Sequence, residues 1–224
     1  MTKRQVETML PINADRGCPP AALAEMCRTI RDSGVVDYAH AWDQMMGWWP
    51  KHLWTTENTP MAAFIKDMDS IGDAVAVSAF AAASAPGLGV TISPDAIRYG
   101  PAEMVQSMLT LANFGQGRAV LQLGAGEIKQ CQPFGWKRSE GLKRFEDHLR
   151  FFDAFWKSEA PVDLEGNFWN FKQAWIGAER AHRPKLWALG GAPKLIDLAT
   201  RYADGFATMV PNVRMWKDGV TRIK

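Results

Sequence analysis

The sequence predicts an α/β fold assembled from parallel βα units. Three observations carry this. Short apolar runs alternate with helical apolar stripes along the chain. Glycine and proline punctuate most of the junctions between them. The chemistry-bearing residues fall at or just after the ends of the apolar runs, where parallel βα folds build their sites. Two architectures share the pattern: a doubly wound open sheet and a (β/α)8 barrel. A barrel takes about 250 residues, and the chain has 224.

Val6 to Pro11 reads as the first strand. Leu23, Met26, Cys27 and Ile30 follow at helical spacing, after Pro19 and Pro20 and before a stop at Gly34. Val35 to Ala39 reads as the second strand and Gly87 to Ile92 as the third. Val105, Met108, Leu109 and Ala112 mark a helix that ends at Gly115 to Gly117. Ala119 to Leu123 is the fourth strand. Leu142, Phe145, Leu149, Phe152 and Trp156 mark a long helix started by Ser139. Lys185 to Leu189 is the fifth strand, and Leu195, Leu198, Ala199 and Tyr202 form the next stripe. Gly205 to Val210 is the sixth strand. The reading is one domain over residues 1–224, with inserts at about 45–85 and 162–177. The first insert holds a Trp-rich and an Ala-rich segment. The second reads as an aromatic hairpin around Glu165-Gly166-Asn167.

Composition narrows the function. A net charge of +2 is too small to imply a nucleic-acid partner. No run has the apolar core of a signal peptide or approaches a membrane span. Cys18, Cys27 and Cys131 are odd in number and widely spaced, which suits a reducing cytoplasm rather than a disulfide framework. The four histidines do not cluster, so no metal site is expected. Trp42, Trp48, Trp49 and Trp54 either fill a core or wall a pocket for a planar ligand.

The candidate site residues lie at four strand ends. Asp43 and Gln44 follow the second, and Thr91 and Ile92 end the third. Gly124-Ala125-Gly126-Glu127 closes the fourth, and Leu189-Gly190-Gly191-Ala192 closes the fifth. Each has a plainer reading as well: Asp43 as a helix cap, Glu127 as a surface carboxylate, Gly190-Gly191 as a tight turn. Gly190-Gly191-Ala192-Pro193 precedes a helix, where free amides attract anions.

The segment from Gly117 to Glu127 resembles the fourth-strand region of luciferase-like flavin and deazaflavin oxidoreductases. Pro133-Phe134-Gly135, Arg144-Phe145-Glu146, Pro184 to Gly191 and Ala203-Asp204-Gly205 continue the likeness in order. So do Asp43 with Trp48, and Arg98-Tyr99-Gly100-Pro101. The layout is similar to the coenzyme F-420-dependent branch, with phthiodiolone ketoreductase-like and glucose-6-phosphate dehydrogenase-like members.

The resemblance implies a TIM (β/α)8-type barrel that stops after about six βα units. Because members continue through two more strands, the chain is expected to be a fragment, a truncated product or one completed by something else. It also implies an oxidoreductase that moves a hydride between F-420 and a small-molecule carbonyl or alcohol. Glu127 would be the general acid or base. Asp43 would contact the ring edge and Trp48 would shape the substrate pocket. Thr91 and Ile92 would lie behind the ring, where members often carry a non-proline cis peptide. Gly190, Gly191 and Ala192 would hold the coenzyme's phosphate, and Leu189 would also belong to the cofactor-binding set. Glu127 is the residue that separates F-420 members from those using flavin mononucleotide (FMN), which commonly lack it.

One departure bears on substrate. Sugar-phosphate-oxidising members have His after the Asp, and here Gln44 stands there. Glutamine accepts no proton at neutral pH, so ketone or enone reduction is favoured over sugar-phosphate oxidation. The alternatives are an FMN-dependent monooxygenase and a non-catalytic member. A homodimer is expected for a full-length form, in the cytoplasm.

Overall fold

The computed structural model describes residues 8–12, 15–208 and 213–223. Its elements are β1 (Met9–Pro11), α1 (Pro20–Asp32), β2 (Tyr38–Trp42), α2 (Ala74–Ser84), β3 (Gly89–Ser93), α3 (Pro101–Phe114) and β4 (Ala119–Gly124). These are followed by α4 (Ile128–Cys131), α5 (Gly141–Lys157), β5 (Val162–Glu165), β6 (Asn170–Ala174), β7 (Lys185–Leu189), α6 (Pro193–Tyr202), β8 (Gly205–Ala207) and α7 (Val213–Ile223). One sheet has the order β1-β2-β3-β4-β7-β8, and β5 and β6 form a separate pair. The chain divides into two compact units, residues 1–92 with 111–119 and residues 93–110 with 120–224.

In the first unit β1 runs parallel to β2, with Met9 opposite Tyr38 and Pro11 opposite His40. α1 begins on Pro20, which needs no amide partner at that position, and buries Leu23, Ala24, Cys27 and Ile30. α2 starts at Asp73, whose carboxylate accepts the Ala76 amide at 2.8 Å. Ala74, Ser78, Ala81 and Ala82 of α2 are buried, small enough for the helix to lie close to its neighbours. Arg118 ties strand starts together, donating to the carbonyls of Gly87 at 2.8 Å and Asp37 at 3.0 Å.

In the second unit β4 is parallel to β7 in the register Val120–Lys185 to Gly124–Leu189. β7 is parallel to β8, Leu189 opposite Ala207. Every residue of β4 is buried, as expected of a strand covered on both faces. α5 buries Phe145, Leu149, Phe151, Phe152 and Phe155. The expected hairpin is present as the antiparallel pair β5–β6. Asp147 of α5, fully buried, holds its turn: it accepts the Asn167 amide (2.8 Å), the Asn167 side-chain amide (2.8 Å) and the Phe168 amide (2.7 Å). Phe151 packs on Phe171 at 4.4 Å.

Several boundaries differ from the sequence expectation. The second strand is Tyr38–Trp42, not Val35–Ala39, because Gly34 turns at φ +66° and Val35 is exposed. Ser139 does not start α5; it lies in a 3-10 turn, and Glu140 precedes the helix without a side-chain cap. The segment read as the first insert ends in α2, an ordinary crossover helix. The first and sixth strands are observed as Met9–Pro11 and Gly205–Ala207; Val6 and Glu7 of the first expected strand, and Met209 and Val210 of the sixth, lie outside the described residues.

A buried histidine, His148, and a half-buried one, His40, make this fold acid-sensitive. The His148 ring is edge-on to Trp169 at 5.1 Å, with Nδ1 2.9 Å from the Arg144 carbonyl. That contact makes Nδ1 the protonated nitrogen and leaves the buried Nε2 without a partner among the described residues. Burial pushes the His148 pKa down to about 4; the Arg144 carbonyl and the charges of Asp147 and Asp95 oppose the shift, and Arg144 adds to it. Burial likewise pushes His40 down to about 4. A base held neutral in the fold protonates more readily unfolded, so the stability it contributes is complete above the ordinary value of 6.5 and is lost as pH falls toward 4. Each histidine accounts for about 3 kcal/mol over that window. Urea unfolding from pH 7 to pH 4, at about one-unit steps, will show this loss, and His148→Leu will flatten its share of the slope. A flat profile for both proteins would contradict the neutral buried ring.

Candidate active site

In the first unit the candidate residues lie at the ends of β2 and β3. Asp43 follows β2 directly and is buried. Beside it Gln44 is also buried, and its Oε1 has no hydrogen-bond partner among the described residues. A buried amide oxygen left without a donor is costly. Trp48 stacks on Trp42 of β2, ring centres 5.7 Å apart and planes 21° apart. The loop carrying Trp48 is anchored by Asp69, which accepts the Gly47 amide at 3.0 Å and pairs with Lys51 at 3.1 Å. Trp54 donates to the Ile65 carbonyl at 2.6 Å. Met45, Trp48, Trp49, Leu53, Met61 and Phe64 of this segment are all exposed. Thr91 and Ile92 lie inside β3 and are buried, with Thr91 Oγ1 3.8 Å from Met9 Sδ. Their peptide is trans: no cis peptide bond occurs among the described residues.

In the second unit they lie at the ends of β4 and β7. Gly124 lies opposite Leu189, so the Gly124–Glu127 turn and the Leu189–Ala192 turn leave neighbouring strands side by side. Glu127 precedes α4 with an exposed side chain that caps no amide. Gly190 sits at φ +149°, which favours glycine, and its amide donates to the Ala207 carbonyl at 3.0 Å. Ala192 is the N-cap of α6 and Pro193 its first residue. The amides of Gly191, Ala192 and Lys194 donate no hydrogen bond among the described residues, and all three residues are exposed. Open amides, the positive end of a ten-residue helix and the Lys194 side chain together favour an anion there.

Sequence reasoning found these strand ends but missed two features. Trp42 as the partner of Trp48 has a signal, since both belong to one aromatic cluster. Asp95, which forms a buried ion pair with Arg98 (2.6 Å) just after β3, reads in sequence as an ordinary turn residue. Among the described residues no group of three or more His, Cys, Asp or Glu side chains is placed to hold a metal. No described helix is long and apolar enough to cross a membrane.

Comparison with known proteins gives these features a context. A ketoreductase of Mycobacterium sp. (strain JLS), named for phthiodiolone and phenolphthiodiolone dimycocerosates, is 28% identical over 171 residues, covering 73% of this chain and 45% of that protein. An F-420-dependent glucose-6-phosphate dehydrogenase of Kineococcus radiotolerans is 30% identical over 123 residues, 53% of this chain and 36% of that protein. The chain therefore spans less than half the length of these curated relatives.

Among solved structures, an F-420-dependent secondary alcohol dehydrogenase in complex with an F-420-acetone adduct superposes with a TM-score of 0.74. It is 19% identical and covers 99% of this chain and 65% of that one. An EDTA monooxygenase from Chelativorans superposes with a TM-score of 0.73 at 14% identity, covering 98% and 59%. These likenesses decide between the two architectures: the units are those of a luciferase-like βα barrel, here with six strands in the sheet. The sequence model of the family described as luciferase-like monooxygenase matches residues 51–214. With most of its length matched by that model and its fold shared with those structures, the chain belongs to the luciferase-like monooxygenase family.

Proposed function

We propose that this protein is an F-420-dependent oxidoreductase that reduces a ketone carried on an apolar molecule. The observation that supports the reading is the pairing of Gly124 with Leu189, which starts the Glu127 turn and the turn into α6 from adjacent strand ends. The residues fit the coenzyme. Gly191, Ala192 and Lys194 offer unused amides and a cation to its phosphate. When bound, the reduced deazaflavin provides the hydride for a carbonyl carbon. Glu127 then holds the proton that the carbonyl oxygen takes up, a role that requires an uncommitted carboxyl and is met by its lack of a capping bond. Asp43, buried after β2, serves the ring edge, and Trp48, propped on Trp42, bounds the substrate. Thr91 and Ile92 back the ring. Gln44 takes part in no proton transfer, which disfavours sugar-phosphate oxidation.

The apolar loop from Met45 to Phe64 supports a substrate with a large hydrocarbon body. Two named relatives support the chemistry: one is a ketoreductase and the other an F-420 enzyme. An FMN-dependent monooxygenase is the second reading, favoured by the likeness to the EDTA monooxygenase. Anaerobic oxidation of reduced F-420 by a long-chain ketone, with no oxygen uptake in the presence of reduced FMN, is the expected result. Oxygen-dependent turnover with reduced FMN would favour the second reading.

The phosphate site has its own test. Gly191→Glu places a carboxylate where the structure leaves room, the nearest atom to an added Cβ being Thr208 Oγ1 at 3.5 Å. The fold should tolerate it. Affinity for F-420, followed by fluorescence quenching, should fall by about tenfold or more from charge repulsion alone. Unchanged affinity would place the phosphate elsewhere.

A further inference from the structure

Glu127 makes no side-chain capping bond, so what the fold fixes is the backbone position from which its carboxylate reaches out. What fixes that backbone is the turn after β3. Asp95 Oδ1 accepts the amides of Ile97 at 2.9 Å and Arg98 at 3.0 Å, and Asp95 Oδ2 pairs with Arg98 Nε at 2.6 Å. The ion pair is almost completely buried. The turn it closes holds one edge of the end of β4 through a parallel bridge from Asp95 to Gly124: the Gly124 amide donates to the Pro94 carbonyl at 3.0 Å, and the Ala96 amide donates to the Gly124 carbonyl at 2.9 Å. Beyond the bridge, the Ile97 side chain fills the space beside Gly126. A Cβ on Gly126 would meet Ile97 Cδ1 at 2.6 Å and Cys131 Sγ at 3.3 Å. Gly126 is thereby held at φ +86°, and Glu127 is the next residue.

We infer that Asp95 and Arg98 are positioning residues for Glu127: their buried pair sets the 94–98 turn, the turn sets Gly124 and Gly126, and these aim the carboxylate. The inference rests on the catalytic reading of Glu127. It explains why a chain would keep a desolvated ion pair at this point, where an apolar pair of the same shape would stabilise as well or better. A carboxylate positioned through its backbone is sensitive to small displacements, since a misplacement of about 1 Å costs on the order of 100-fold in rate.

The test combines amide hydrogen exchange on the free protein with kinetics. In Arg98→Met, exchange at Gly124 and Ala96, whose amides close the bridge between the turn and β4, should rise by about tenfold or more while the centre of β4 stays protected. Turnover number should fall by roughly 10–100-fold with little change in KM. Arg98→Lys, which keeps the charge and guards against a variant that does not fold, should recover most of both. In a Glu127→Gln background the Arg98 change should add nothing further. Unchanged exchange at Gly124 and Ala96 overturns the inference. So does a rate loss that is the same with and without Glu127, because the pair would then act independently of the carboxylate. Full turnover by Glu127→Gln alone overturns the reading of Glu127, and the positioning role with it.

Discussion

Glu127→Gln is expected to lower turnover by about 10³-fold while F-420 still binds. Glutamine has the size of glutamate, and Glu127 neither caps α4 nor makes a side-chain bond, so the change disturbs no part of the fold. What it removes is the proton that, in the proposed role, Glu127 offers a carbonyl oxygen. A general acid is worth roughly 10²–10⁴ in rate. The phosphate amides at Gly191 and Ala192 are untouched, so affinity measured by fluorescence should stay within a few-fold of the parent. Rate and affinity therefore separate. Retention of rate would mean that another group delivers the proton. Loss of both together would mean that Glu127 anchors the coenzyme and does not transfer a proton.

The largest stability effect is expected at Asp147. This carboxylate is fully buried and accepts three N–H groups from Asn167 and Phe168, closing the β5–β6 turn onto α5. Asp147→Ala leaves those donors without an acceptor and opens a cavity beside Gly166, whose added Cβ would touch the Asp147 carboxylate at 2.8 Å. The cost is about 3 kcal/mol or more, because a charged acceptor with several donors is lost at once. For a chain of this size, that lowers the melting midpoint by roughly 6–12 °C. None of the residues in this contact is one assigned to the coenzyme, so coenzyme affinity per folded molecule should not change. Calorimetry with a parallel binding titration checks both points. A midpoint shift of under about 2 °C would show that the hairpin is held by aromatic packing, as by Phe151 on Phe171, and not by the carboxylate.

The sequence revealed strands where burial is written twice, in apolar content and in punctuation. β4 is legible because Gly117 and Gly124 bracket a run buried on both faces. β2 is less so: Val35 and Val36 draw the eye, yet Val35 faces solvent, and the strand is the alternating Tyr38-Ala39-His40-Ala41-Trp42. α2 hides for a different reason. Its buried and exposed faces are both largely alanine and other small or apolar residues, so no stripe contrasts with a polar side.

The candidate site follows the same logic. Strand-end residues such as Asp43, Glu127 and Gly190 are visible because topology puts them at one end of their strands. Asp95 and Asp147 are not, because each draws its meaning from partners that the fold brings to it. For Asp95 the important partner is the end of β4, through the turn it closes, and for Asp147 it is a turn 20 residues downstream.

The central claim is the choice of coenzyme. Its most direct test is a side-by-side titration of the protein with F-420 and with FMN, each followed by its own fluorescence. Saturable quenching of F-420 at micromolar concentration, abolished or strongly weakened in Gly191→Glu, with FMN binding far more weakly, is the result expected from open amides at α6 and a free Glu127. Tight FMN binding with no response to F-420 would contradict it.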